Sequence, residues 1–289
     1  MKITKRIIAA ITLIIAFAFN LNAQKKKNSL LWKVEGDDIK TSYVFGTIHL
    51  IPQDDFKLKD KVKTAFDACD KAALELDMDD PQFMADMMKY AYLEKGKELK
   101  SFMDDEEYKT LDTFLKEKMG TGMAQFNNAK PFMLMSVILT ANSDKPMASY
   151  EMTLLQMAKA AKKEVEGLES FKSQVDIFDE TPYDEQIDDL IEMIENPDEN
   201  AELYRRMVEL YVSENVKELY NYMDDYMDGD AELTAKFLDD RNKKWIPKMA
   251  ELSKEQSVFY AVGAGHLGGK QGVLKLLKKA GYKVTPVLD

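Results

Sequence analysis

Apolar residues follow two different periods along this chain, and the changes between them separate predicted strands from predicted helices. β-Branched and aromatic residues at 31–34 and 41–46 flank the polar segment 35–38, which predicts a β-hairpin. The apolar run at 72–76 and the short segment 164–167, Glu-Val-Glu-Gly, predict two further strands. These runs indicate that the chain contributes several strands to a sheet before residue 168.

Helical periodicity dominates the middle of the chain. A short helix is predicted at 60–69, and the blocks 80–163 and 183–252 are predicted to be mostly helical. Asp80 precedes Pro81, the order typical of a helix N-cap and a first helical residue. Methionines recur near the apolar faces of the first block, where we expect them to fill the core rather than to line a groove for an apolar ligand. They are Met84, Met87, Met88, Met133, Met135, Met152 and Met157.

The clearest supersecondary unit lies near residue 289. A strand is predicted at 257–262, followed by a glycine-rich loop, a helix at 271–280 and a strand at 283–287. This order predicts a βαβ unit with parallel strands. Because strands and helical blocks alternate along the chain, we predict an α/β fold with a central mixed β-sheet, a large helical insertion and a C-terminal βαβ unit.

The first 23 residues have the layout of a secretory signal peptide. Lys2, Lys5 and Arg6 precede the apolar stretch 7–19, and Ala23 provides a small residue for cleavage. The apolar stretch is short for a membrane span, although an uncleaved N-terminal anchor is the alternative. We therefore expect residues 24–289 to form one α/β domain that is exported to the periplasm or secreted, with no stable membrane span after the leader is cleaved.

The formal net charge of the chain is −11 at pH 7. This acidity argues against a nucleic-acid partner. Cys69 is the single cysteine, so no disulfide can form within the chain. It shares a helical stripe with Val62 and Phe66, which predicts a buried thiol without a catalytic role.

The two histidines of the chain occupy the same local frame. His49 ends the sequence Gly-Thr-Ile-His and His266 ends Gly-Ala-Gly-His, and in both cases the glycine closes an apolar run predicted as a strand. Imidazole is the commonest metal ligand and general acid or base in proteins, and ligands of α/β sheets bind beyond the carboxyl ends of the strands. The frame therefore predicts that both histidines reach one site. The alternative is two unrelated surface or capping histidines.

Three charged residues are candidates for the same site. Glu75 lies between Leu74 and Leu76 in a predicted strand, where a carboxylate needs a cation, a metal or hydrogen-bond donors. Arg241 lies in a stripe with a spacing of four, and an arginine on that face needs an anionic partner, either Glu75, Glu169 or a substrate carboxylate. The alternative is an arginine that extends past the stripe to solvent. The stripe consists of Leu233, Phe237, Arg241, Trp245 and Met249.

A competing motif overlaps the second histidine. Gly263, Gly265 and Gly268 fit the dinucleotide pattern Gly-x-Gly-x-x-Gly between a predicted strand and a predicted helix. The pattern leaves the first Gly-x-x-His segment unexplained, and exported proteins seldom meet free nicotinamide cofactors. We therefore favour a histidine site over a dinucleotide site.

Several of these segments occur together in a known family. The chain resembles the TraB/GumN family, to which Tiki proteins are related, over nearly all of residues 24–289. The resemblance implies an α/β fold related to erythromycin-esterase-like and haem-binding ChaN-like proteins, and a relation to metal-dependent proteases of the Tiki type. It also implies that His49 and His266 are metal or catalytic residues, with Glu75 and Arg241 as further polar positions. Glu151 stands where the resemblance leads us to expect an aspartate, and we carry no role onto it. The segments that carry the resemblance are 43–49, 74–76, 165–169 with Gln174, 241–242 and 263–266.

The preferred functional hypothesis is an exported metal-dependent hydrolase that cleaves a peptide, with a peptide or small-molecule substrate as its expected partner. His49, His266 and Glu75 would bind a divalent ion, either Mn, Co or Zn. Glu169 would act as general base, and Arg241 would bind the oxyanion or a substrate carboxylate. Two alternatives remain open: a non-catalytic peptide- or haem-binding protein, and a metal-independent hydrolase in which the histidines act with the glutamates as acid and base.

Overall fold

The computed structural model describes residues 28–143, 145–227 and 229–289. The predicted leader, residues 1–23, lies outside these residues. Among the described residues, no helix combines the length and apolar character that crossing a membrane requires.

The predicted hairpin is present. Strands β1 (Leu31–Gly36) and β2 (Ile39–Thr47) pair antiparallel, with Leu31 opposite Phe45 and Val34 opposite Ser42. The remaining strands are β3 (Ile51–Pro52), β4 (Lys71–Leu74), β5 (Met147–Ala148), β6 (Val165–Gly167), β7 (Val258–Gly263) and β8 (Lys283–Pro286).

Six of these strands form one mixed sheet, which confirms the predicted fold class. The strand order is β6-β4-β7-β2-β1-β8, and β3 pairs with β5 separately. Neighbours from β6 to β2 are parallel, whereas β1 is antiparallel to both β2 and β8. Strands β7 and β8 therefore run in the same direction, as predicted, but β2 and β1 lie between them. The connection from β7 to β8 therefore crosses over two strands. A βαβ pattern in the sequence predicts that its two strands are parallel, but it does not determine whether they are neighbours in the sheet.

Helices fill most of residues 80–163 and 183–252. One further helix, α6, follows β6 and was not predicted; it begins after the N-cap Ser170, whose hydroxyl accepts from the Ser173 amide. The helices are α1 (Asp60–Asp67), α2 (Pro81–Tyr90), α3 (Asp105–Met119), α4 (Pro131–Ala141), α5 (Tyr150–Ala161), α6 (Phe171–Asp179), α7 (Tyr183–Glu195), α8 (Pro197–Val212), α9 (Val216–Tyr226), α10 (Ala231–Thr234), α11 (Asp240–Leu252) and α12 (Val273–Lys279). A π-helical turn, Ala235–Asp239, joins α10 to α11.

Most of the buried apolar residues that the structure describes fall into two clusters. One surrounds the sheet and includes Phe66, Phe259 and Trp245, and the other lies within the helical insertion around Leu115 and Ile187. Cys69 belongs to the first cluster, as predicted, and burial raises the pKa of its thiol to about 12. The thiol is therefore protonated and inert near neutral pH.

The prediction that the methionines fill the core is wrong for four of them. Met84, Met88, Met135 and Met152 are 57 %, 61 %, 38 % and 49 % exposed. Helix α5 illustrates the reason, because its buried positions are taken by Tyr150, Leu154 and Ala158 and residue 152 points to a different face.

Candidate functional site

The candidate residues lie just beyond the ends of four adjacent parallel strands. His49 follows β2, Glu75 follows β4, Glu169 follows β6 and His266 follows β7. Because the carboxyl ends of parallel strands meet at one edge of a sheet, these side chains lie at the same edge, where α/β folds bind ligands.

Arg241 enters this edge from α11 and is paired on every side. Its Nη2 donates to Oε2 of Glu75 at 2.6 Å and also to Oε1 of Glu169, and its Nε donates to Oε1 of Glu169 at 3.0 Å. Its Nη1 donates to the Phe237 carbonyl at 3.0 Å and lies 3.1 Å from Nε2 of His266. The side chain thus faces inward, as its stripe predicted, and all five guanidinium N–H groups are engaged.

Glu75 is a buried carboxylate whose two oxygens are both occupied. Oε1 accepts from the Gly263 amide at 2.7 Å, while Oε2 accepts from Arg241 and, at 3.2 Å, from Gln174. Burial alone would raise the pKa of Glu75, but His266 when protonated, Arg241 and His49 outweigh it and lower the pKa to about 2. Since the His266 imidazole is neutral near pH 7, Arg241 and the charge of His49 are the neighbours that keep this carboxylate ionised there.

His266 is buried, with only 4 % of its surface exposed, and both ring nitrogens have partners. Nδ1 lies 2.7 Å from the Asn242 amide oxygen, and the Asn242 amide nitrogen donates to the Gln271 carbonyl at 3.0 Å, which orients the amide. Nδ1 therefore carries the proton, and the Nε2 lone pair accepts from Arg241. Burial lowers the pKa of His266 to about 3.

Two consecutive residues of α11 thus contact the same imidazole. Arg241 holds Nε2 and Asn242 holds Nδ1. The π-helical turn Ala235–Asp239 ends immediately before α11 and changes the helical phase at its start. Such turns occur frequently at functional sites.

His49 makes a different contact, with a glutamate to which no role was assigned from sequence. Its Nδ1 lies 3.0 Å from Oε1 of Glu151, which also accepts from the Thr47 hydroxyl at 2.6 Å; the Ser149 hydroxyl donates to Oε2 at 3.1 Å. The hydrogen bond to Glu151 raises the pKa of His49. The His49 side chain is 71 % exposed, so water screens this contact.

His49 and His266 therefore belong to two neighbouring groups. Within the described ranges, no hydrogen bond or ion pair joins His49 to the Arg241 network, yet the His49 charge contributes to the low pKa of Glu75. The expectation that both imidazoles share one ion or one water stays a prediction.

The predicted metal ligands do not fit a metal ion in their present arrangement. Nε2 of His266 and Oε1 of Glu75 lie 3.8 Å apart, but the Arg241 guanidinium contacts Nε2 of His266 and Oε2 of Glu75. In the part of the chain that the structure describes, no group of three or more His, Cys, Asp and Glu side chains is placed to hold a metal. A metal ion bound to His266 and Glu75 requires Arg241 to move.

The glycine-rich loop after β7 is covered by α9. A Cβ atom at Gly265 would lie 2.6 Å from Sδ of Met223, and one at Gly268 would lie 2.5 Å from Cβ of Tyr220. These glycines allow close helix packing, and the protein itself covers the surface that a dinucleotide would need. The structure therefore favours the histidine interpretation of this loop.

Comparison with known proteins agrees with the resemblance noted in the sequence. Metalloprotease TIKI1 of Xenopus tropicalis is 22 % identical over 328 aligned residues, covering 90 % of this chain and 62 % of that protein. The chain thus spans less than two thirds of the length of this relative. No solved structure matches the chain. The family model of the TraB/PrgY/gumN family matches residues 30–286. Since this match covers most of the sequence, the chain belongs to the TraB/PrgY/gumN family.

Proposed function

We propose that this chain is a hydrolase that cleaves peptide bonds and that His49 transfers the proton. The observation that supports this best is the pair formed by His49 and Glu151. The carboxylate holds Nδ1 at 3.0 Å, and the imidazole is 71 % exposed at the sheet edge where ligands of α/β folds bind. The choice of a peptide as substrate is supported by the similarity to metalloprotease TIKI1.

In this mechanism neutral His49 donates its Nδ1–H to Glu151. Nε2 then takes a proton from a water molecule that attacks the scissile carbonyl, and the imidazolium returns this proton to the leaving amine. Glu151 stabilises the imidazolium, while the hydroxyls of Thr47 and Ser149 keep the carboxylate in place. Glu151 is therefore a positioning residue in this proposal.

The Arg241 network has a supporting part in this proposal. Because every N–H of Arg241 is engaged, no donor is left for an oxyanion or a substrate carboxylate unless one of these contacts breaks. Glu169 accepts from Arg241 and from Gln174 at 2.9 Å, which makes it a weak candidate for the general base. We propose that the network instead holds the ends of β4, β6 and β7 in register around the site.

A peptide-cleavage screen tests the proposal. Residues 24–289 are incubated with a peptide mixture, with chelator or with added Mn, Co or Zn, and products are identified by mass spectrometry. We expect cleavage by the unchanged chain and by Gln53→Ala, an exposed control in the turn after β3, but not by His49→Ala. Peptide binding without cleavage under every condition would replace the hydrolase with a binding protein.

We also propose that the chain acts outside the cytoplasm. The leader-like segment 1–23 supports this. N-terminal sequencing of the protein from its native source should start at Gln24, and a chain that retains its first 23 residues would contradict cleavage.

A further inference from the structure

We propose that an extended peptide binds to the free edge of β5 as an added strand, with its main chain held by Met147 beside the pair formed by His49 and Glu151. The inference deepens the proposed function and rests on it for the choice of a peptide as the occupant. It names how the substrate is held, which is through main-chain hydrogen bonds.

The small sheet of β3 and β5 leads directly to the proposed site. His49 lies two residues before β3, and Glu151 lies three residues after β5. Ser149 follows β5 directly and donates its hydroxyl to Oε2 of Glu151 at 3.1 Å. A peptide bound along β5 would therefore extend to the two side chains that we assign to proton transfer.

The register of this sheet determines where each main-chain group points. Pro52 lies opposite Met147, and next to them the Gln53 amide donates to the Pro146 carbonyl at 2.9 Å. Hydrogen-bonded and non-hydrogen-bonded pairs alternate along an antiparallel ladder, so Pro52 and Met147 form a non-hydrogen-bonded pair. Each of these two residues therefore directs its main-chain groups away from the partner strand, toward an outer edge of the sheet.

The two outer edges differ in what they offer. On β3, the Pro52 carbonyl accepts from the amides of Asp55 and Phe56 at 2.9 and 3.1 Å, and proline has no N–H. On β5, Met147 is half-buried, and its N–H and C=O make no hydrogen bond to any residue that the structure describes. A free donor and a free acceptor on one strand residue match the main chain of an extended peptide, as in other strand-addition sites.

The length of β5 favours a peptide over a second copy of this chain. The strand has two residues, so pairing of two copies through it supplies few contacts, whereas a stable protein interface buries about 1,200–2,000 Å². A substrate must dissociate after cleavage, and a small number of main-chain hydrogen bonds suits that requirement.

Peptide binding by chains that lack the His49 imidazole tests this inference. A library of octapeptides with blocked ends is passed over immobilised His49→Ala, and the most strongly retained octapeptide is identified by mass spectrometry. Its affinity is then measured by fluorescence anisotropy after Met147→Ala or Met147→Pro is added to His49→Ala. Both changes remove the methionine side chain, but only proline removes the N–H, and an edge strand tolerates proline where the N–H faces solvent. We expect Met147→Pro to bind roughly 2–13-fold more weakly than Met147→Ala, the effect of one hydrogen bond.

Ester analogues of the octapeptide give a second measurement that leaves the protein unchanged. Each peptide N–H is replaced in turn by an ester oxygen, and we expect the largest loss of affinity at one position, whose N–H donates to the Met147 carbonyl. If circular dichroism shows that Met147→Pro is unfolded, the ester analogues alone decide.

Three results would overturn the inference. They are equal affinity of folded Met147→Pro and Met147→Ala, equal affinity of all the ester analogues, and a chain that retains no octapeptide. A dimer that Met147→Pro converts to monomers would also overturn it, because a second copy would then occupy the edge.

Cleavage of the octapeptide by the unchanged chain is measured separately. Cleavage without dependence of binding on any peptide N–H would overturn this inference and support the hydrolase. Binding that depends on one peptide N–H, without cleavage, would support the added strand and contradict the hydrolase.

Discussion

The amide oxygen of Asn242 lies 2.7 Å from Nδ1 of His266 and so selects the tautomer that presents Nε2 to Arg241. Asn242 is 1 % exposed, and its amide nitrogen donates to the Gln271 carbonyl. This hydrogen bond fixes the side-chain amide with its oxygen toward His266.

Asn242→Asp should raise the pKa of His266, because a carboxylate beside Nδ1 stabilises the imidazolium. The present value is about 3, owing to burial first of all. NMR titration of the imidazole signal measures the change, with Asn242→Ala as the neutral control. An unchanged pKa in the aspartate variant would show that Asn242 does not control this ring.

Arg241→Ala in metal-free buffer should lower the free energy of unfolding by about 3–5 kcal/mol, the range for breaking a buried ion pair. Arg241→Lys should lose less, since it keeps the charge but cannot make the forked contact. Urea denaturation measures both. The matched control is Arg205→Ala, whose exposed contacts with Glu202 and Glu209 should contribute at most about 1 kcal/mol. Equal losses in Arg241→Ala and the control would contradict the buried network.

Glu75 should make the fold sensitive to acid. Its pKa is lowered from 4.5 to about 2, so its stabilising contribution is present above pH 4.5 and is lost as the pH falls toward 2. A shift of this size corresponds to about 3 kcal/mol. Denaturation across this window should give a flatter stability curve for Glu75→Gln than for the unchanged chain. If the stability of the two proteins changes with pH in parallel, groups other than Glu75 cause the acid sensitivity.

Glu151→Gln should change the pH dependence of peptide cleavage. Glu151 raises the pKa of His49, and the neutral imidazole is the proposed base, so the rate should fall as the pH drops through that pKa. Glu151→Gln should lower the pKa of His49, so the fall in rate on the acidic side of the pH profile (its acid limb) should move to lower pH. Loss of orientation should also reduce the maximal rate by roughly 10²–10⁴-fold.

The control for this experiment is Glu117→Gln, an exposed position on α3, which should leave the profile unchanged. If the rate of Glu151→Gln falls at the same acidic pH as the rate of the unchanged chain, protonation of His49 is not the cause of that fall.

Local patterns predicted the parts of the site that depend on local geometry. The spacing of four in α11 placed Arg241 inward against the acidic side chains, and the Gly-x-x-His frames placed both histidines at strand ends. These inferences succeed because helix and strand periods are set by neighbouring residues.

Contacts between distant segments had no local signal. Glu151 lies 102 residues from its partner His49, and a glutamate in the first turn of a helix already has an ordinary explanation. The π-helical turn Ala235–Asp239 interrupts the spacing that the stripe assumed. The position of β8 beside β1 depends on how many strands the crossover passes, which the βαβ pattern leaves open.

The pairing of β1 with β8 has a consequence for synthesis of the protein. Just beyond the paired residues of these strands, the Ser29 hydroxyl donates to the Val287 carbonyl at 2.6 Å, across a sequence separation of 258 residues. At a translation rate of about 5–20 residues per second, β8 is synthesised roughly 13–50 s after β1. Throughout that interval the nascent chain carries an unpaired strand edge, which is prone to aggregation. A holding chaperone that shields β1 during this interval should therefore increase the yield of folded protein.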